Sequence, residues 1–178
     1  MKYEVAYLSN TGNTKRLAME ITSMLFGKEV VLTDLAHNGV STDADVFFIG
    51  FGINGDVVPV KIMDALECTE RKTVMLFVTC GMNPTDAYKA AIERKIFPFL
   101  PDDCNYLGLF LCAGKFPDDM IDHAQEVLQQ NKEVLHARMV LENHQITKNH
   151  PDEDDMRELR EYVTTHLSNT EDVDGQEQ

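Results

Sequence analysis

The sequence predicts an α/β fold in which one five-stranded parallel sheet is covered on both faces by helices. Three segments, Val46–Gly50 (VFFIG), Val74–Thr79 (VMLFVT) and Tyr106–Cys112 (YLGLFLC), are apolar without alternation and rich in β-branched or aromatic residues. Strands buried on both faces read this way. Segments of helical spacing separate them, as βαβ units require. A chain of 178 residues suits one such domain.

The elements follow in order. A first strand spans Tyr3–Leu8, and a helix with the stripe Leu17, Ala18, Ile21, Met24 and Leu25 comes next. Glu29–Leu32 is a weaker run that suits an edge strand. After Val46–Gly50, a short helix covers Val60–Leu66 behind Pro59, a residue favoured at helix starts. Ala87, Ala91, Ile92 and Lys95–Phe97 mark another helix after the next strand. A longer one runs from about Met120 to Leu135. The last begins at His150-Pro151, with Asp152, Glu153, Asp154 and Asp155 at the positive end of its dipole and a stripe of Met156, Leu159, Tyr162 or Val163, and Leu167. Right-handed crossovers and five strands give the order 2-1-3-4-5, with a crevice between the first and third strands. The domain covers 1–167. From 168 the apolar content is lost (SNTEDVDGQEQ), and 168–178 reads as a frayed acidic tail.

Composition narrows the partners. The net charge is −14, from 30 acidic and 16 basic residues. Such a surface repels nucleic acid and anionic lipid and attracts proteins with a basic docking face. No apolar run approaches the roughly 20 residues of a membrane span, and the N-terminus lacks the pattern of a secretory signal. A cytoplasmic protein is expected. Cys68, Cys80, Cys104 and Cys112 form no CxxC pair and read as reduced thiols. No HExxH and no histidine pair at i, i+4 spacing occur, so no metal site is expected. Residues 152–155 lack the spacing and glycine of a calcium loop. Ser9 has no GxSxG elbow, and no catalytic residue is assigned.

The chemical signal lies in Ser9-Asn10-Thr11-Gly12-Asn13-Thr14, between the first strand and its helix. Successive backbone N–H groups beside a helix N-terminus form a concave donor surface for an anion. Gly12 permits close approach and positive φ. The hydroxyls of Ser9, Thr11 and Thr14 and the amides of Asn10 and Asn13 add neutral donors. GxGxxG is absent, as is GxxxxGK followed by Ser or Thr, so neither a dinucleotide fingerprint nor a nucleoside-triphosphate loop is present.

SNTGNT resembles the phosphate loop of flavodoxins: a Ser or Thr, a variable residue, then Thr-Gly-x-Thr directly after the first strand. Asp45–Asp56 (DVFFIGFGINGD) and Thr73–Pro84 (TVMLFVTCGMNP) are similar to that family's third and fourth strands with their flavin-binding loops. The resemblance covers about residues 2–167. It is strongest to a branch with Cys-x-Gly-Lys after the fifth strand and a late His-Pro-x-x-x-Asp, here Cys112–Lys115 and His150–Asp155. It implies a flavodoxin-like three-layer α/β/α sandwich and one noncovalent flavin mononucleotide (FMN). Ser9, Asn10, Thr11, Gly12, Asn13 and Thr14 would bind its phosphate. Gly52, Ile53, Asn54, Gly55 and Asp56 would approach the isoalloxazine ring from one side, and Thr79, Cys80, Gly81 and Met82 from the other. Asn54-Gly55 occupies the place where such loops flip a peptide on flavin reduction.

The chain departs from the family pattern in having no Trp, and Met82 stands where a ring-stacking aromatic is expected. Phe51, Tyr88 and Phe116 are the candidates to replace it. The resemblance implies a redox protein, monomeric or weakly dimeric, that passes electrons from a reductase to a partner enzyme. The alternatives are an FMN-dependent reductase of a small acceptor, such as a quinone or pigment, and a flavin-free partner-binding subunit.

Overall fold

The computed structural model describes residues 1–41, 43–53 and 57–174, and of 169–174 the backbone alone. Five strands, β1 (Lys2–Leu8), β2 (Glu29–Asp34), β3 (Val46–Ile53), β4 (Thr73–Cys80) and β5 (Asn105–Ala113), pair in parallel in the order β2-β1-β3-β4-β5. This is the predicted topology. The helices are α1 (Asn13–Met24), α2 (Val60–Glu67), α3 (Asp86–Ile96), α4 (Asp118–Gln130), α5 (Leu135–Thr147) and α6 (Glu153–Asp174).

Side chains along β3 show why its sequence is apolar without alternation. Phe47, Ile49 and Phe51 point into one core and Val46 and Phe48 into the other, as the two-residue period of a strand demands. The first core is covered by α2 and α3, the second by α1 and α6. Phe47 and Phe48 are fully buried, and each such side chain contributes about 1.5–3 kcal/mol. Glu4 is also fully buried, on central β1. Its carboxylate accepts from the Thr33 hydroxyl at 2.7 Å and the Ser41 backbone N–H at 2.8 Å, which offsets the cost of burying it.

The largest differences from the sequence reading concern the last helices. The segment read as one helix over Met120–Leu135 is divided at residues 131–134, and a second helix, α5, follows. The cause is Asn131: its backbone turns extended (φ −145°, ψ 107°), and its side chain accepts from the Glu133 N–H at 3.0 Å in an Asx turn. Helices α4 and α5 pack chiefly on each other around Ile121, Ala124, Ala137 and Val140. The last helix starts at Glu153, after the cis His150-Pro151 bond, rather than at the proline. Its backbone continues to Asp174, past residue 167 where the apolar stripe ends.

Candidate functional site

The C-terminal ends of β1, β3, β4 and β5 meet at a cleft of about 120 Å³. Its first wall grows from the β1–α1 connection. Gly12 caps α1 in the left-handed region (φ 86°), which a side chain would resist. Its N–H donates to the Ser9 hydroxyl oxygen at 3.1 Å, closing the loop, and its carbonyl accepts the first helical bond from Arg16 N at 3.0 Å. The backbone N–H groups of Thr11, Asn13, Thr14 and Lys15 have no acceptor among the described residues. These are the open donors that a helix N-terminus presents to an anion.

Two side chains of the loop turn inward and fix its position. The Asn13 amide donates to the Lys115 carbonyl at 2.8 Å, and the Thr14 and Thr79 hydroxyls share a hydrogen bond of 2.9 Å. Both Asn13 and Thr14 are buried. A Cβ on Gly114 would lie 2.7 Å from the Asn13 amide nitrogen, so this contact needs a glycine there.

Behind this wall stands the start of α6. Lys115 N donates to the His150 carbonyl at 3.0 Å, and the Arg16 guanidinium donates to the Pro151 carbonyl at 2.5 Å. Arg16 therefore faces the α6 start and braces α1 against it. The Asp155 carboxylate bonds the His150 ring at 2.6 Å and the Asp152 N–H at 2.7 Å. Asp152 accepts in return from the N–H groups of Asp154 and Asp155 at 2.9 and 3.1 Å, a reciprocal helix cap. The Asp155 N–H foremost holds the Asp152 carboxyl below its ordinary range. The ligand-type atoms of His150, Asp152 and Asp155 lie within 4.8 Å of one another, and these capping bonds account for the cluster.

Of the residues expected to hold a flavin, Asn10, Thr11, Asn13 and Thr14 line the cleft at one end, with Gly52 and Ile53 from β3 and Thr79, Cys80 and Gly81 from β4. Ser9 and Gly12 shape the loop without lining the cleft. Met82 lines a neighbouring cavity instead. Asn54, Gly55 and Asp56 lie outside the described residues. Cys80 is a buried thiol that donates to the Met82 carbonyl at 3.3 Å; burial pushes it up to about 11, so it is a neutral floor group.

The sequence reading did not place Leu8, Pro59, Gly114, Lys115 or Pro117 at the site, yet all line it. The Cys112–Lys115 motif was the available signal for two of them. Among the candidate aromatics, Phe51 is fully buried in the core and Tyr88 lines the neighbouring cavity. Phe116 lines both cavities, and its ring packs on Gly81 so closely that a Cβ there would fall 2.5 Å from it.

These residues suit a flavin phosphate. The loop offers neutral hydroxyls, amides and open backbone donors at a helix start, with no carboxylate among Ser9–Thr14 to repel an anion. Among the described residues, no helix is long and apolar enough to cross a membrane.

Comparison with known proteins agrees with the fold. Residues 4–164 match the family model for the flavodoxin domain. A flavodoxin-like domain-containing protein, BilS, of Clostridioides difficile is 30% identical over 161 residues, covering 89% of this chain and 92% of its own. The BilS of Clostridium symbiosum is 25% identical over 183 residues, covering 94% and 96%. Among solved structures, the two-electron reduced flavodoxin of Megasphaera elsdenii aligns over 66% of this chain and 89% of its own, with 24% identity and a TM-score of 0.48. The match of the family model over most of the chain, on a sheet of the order expected, shows that this protein belongs to the flavodoxin family.

Proposed function

We propose that the protein binds one FMN noncovalently and carries electrons from a reductase to a partner enzyme. The observation that carries this reading is the row of open N–H donors at Thr11, Asn13, Thr14 and Lys15, held in place by the Asn13 and Thr14 side-chain bonds. The flavin, when bound, supplies one- and two-electron transfer; the protein supplies binding and orientation. Asn13 and Thr14 fix the loop that takes the phosphate. Gly52, Ile53 and Gly81 present backbone and small surfaces to the ring. Phe116 is the aromatic side chain on the ring side and stands in for the missing Trp. The neutral Cys80 thiol places no charge beneath it. With a net charge of −14, the surface favours redox partners with a basic docking face and disfavours nucleic acid and anionic membranes.

The test is a visible spectrum of the purified protein before and after adding FMN, followed by reduction and exposure to a one-electron acceptor protein. A stoichiometric yellow complex that is bleached by reduction and recovers its colour on contact with the acceptor supports the reading. A protein that stays colourless in excess FMN refutes it and favours a partner-binding subunit. One observation favours a second reading, an FMN-dependent reductase of a small acceptor: a second cavity opens beside the first.

A further inference from the structure

The second cavity, of about 280 Å³, lies between the end of β4 and the α4–α5 hairpin. Its size is close to the lower end of the roughly 300–1,000 Å³ typical of small-ligand pockets. Met82, Met120 and Met139 line it with thioethers, and Tyr88 and Phe116 add aromatic faces. Thioethers are polarizable and conform to flat π surfaces, and aromatic rings stack on them. Two polar side chains, His136 and Asn143, stand seven residues apart on the same face of α5, with Met139 and Val140 between them. Neither side chain has a hydrogen-bond partner among the described residues, and His136 is exposed at the rim.

We propose that this cavity binds a planar, apolar, conjugated molecule bearing a carbonyl, of which a quinone is the simplest case. The ring system would lie among the methionines, Tyr88 and Phe116. His136 or Asn143, about two helical turns apart, would donate to a carbonyl at the mouth. Ile53, Gly81 and Phe116 line this cavity and the cleft alike, so the occupant sits beside the flavin position with the Phe116 ring between them. This accounts for the departure at Met82 and gives the α4–α5 hairpin a role. Met82 takes the place of a stacking aromatic because it faces this second site, and the α4–α5 hairpin, with a small core of its own, supplies the far wall. The inference rests on the flavin reading only for what lies next door.

The experiment is calorimetric titration of the oxidised, FMN-loaded protein with menadione (2-methyl-1,4-naphthoquinone), repeated on the protein without FMN. One-to-one saturation is expected in both. Met139→Trp, which fills the mouth from a half-exposed position, should weaken menadione by at least ~10-fold, and Asn143→Leu by several-fold, with FMN affinity unchanged within about 2-fold. Menadione binding that ignores both substitutions, fails to saturate, or is displaced competitively by FMN would overturn the proposal. If FMN does not bind while menadione does, with the same sensitivity to Met139→Trp, the flavin reading fails and this one stands.

Discussion

At the end of the cleft proposed for the phosphate, Asn13 and Thr14 are buried and each is hydrogen-bonded across the sheet ends, whereas at the end proposed for the ring Met82 and Phe116 are only partly buried and Lys115 is exposed. The first end is built by one short run of sequence whose side chains are spent on holding the loop, leaving backbone N–H groups for a ligand. The second is assembled from β3, β4 and the segment after β5, and its side chains themselves form the surface. On the proposed reading, rigid donors at one end would give affinity and register. Adaptable side chains at the other would set what approaches the ring.

That contrast predicts a ranking of effects. Thr14→Ala removes one end of the Thr14–Thr79 bond that holds the loop and should weaken FMN about 5-fold, the worth of a neutral hydrogen bond of roughly 1 kcal/mol, measured by flavin fluorescence quenching. Thr79→Ala removes the other end of the same bond and should cost about as much. A loss at Thr14 far larger than at Thr79 would mean that the Thr14 hydroxyl also reaches the phosphate and that the backbone donors do not act alone.

Asp155→Ala leaves the His150 ring and the Asp152 N–H without their acceptor, and should lower unfolding free energy in urea by about 1–3 kcal/mol. The cap also sets a pH dependence. The Asp152 carboxyl titrates below its ordinary range in the folded chain, so its contribution is complete above the unfolded value of about 3.9 and is lost as pH falls through and below it. Urea midpoints at pH 5 and pH 3 should differ in that direction, and less so in Asp152→Asn.

Gly12→Ala tests the loop without touching a neighbour, since a Cβ there meets nothing within 4 Å. The cost is the left-handed backbone alone, about 1–2 kcal/mol, and should appear in FMN affinity or stability. The smallest effect is chemical. Exposed Cys68 should be alkylated by iodoacetamide at pH 8, while Cys80, buried and pushed up to about 11, resists until the protein unfolds. Rapid labelling of Cys80 in the native state would show that the ring end opens to solvent.

The same division decides what was legible in the sequence. Ser9–Thr14 stood out as a candidate because six consecutive polar or glycine residues join a strand to a helix, and the strands could be read because both-face burial leaves runs such as VFFIG. Pro59, Lys115 and Pro117 could not be placed at the cleft from spacing, because only the parallel sheet brings their distant segments together. The α4–α5 division was hidden for a different reason. Asn131 has ordinary helix-compatible neighbours, and its Asx turn depends on a side-chain bond that no periodicity records. The His150–Asp155 motif was visible as helix-start charge, but its tie to the phosphate loop runs through backbone carbonyls of His150, Pro151 and Lys115, which any residue would carry.

The most direct measurement is a pair of titrations of flavin-free protein, one with FMN and one with riboflavin, which lacks only the phosphate. If the open donors at Thr11, Asn13, Thr14 and Lys15 hold that phosphate, FMN should bind at least ~10-fold tighter, and the gap should shrink in Thr14→Ala as the loop loses its tie to Thr79. Equal affinities for the two flavins would contradict the assignment of this loop.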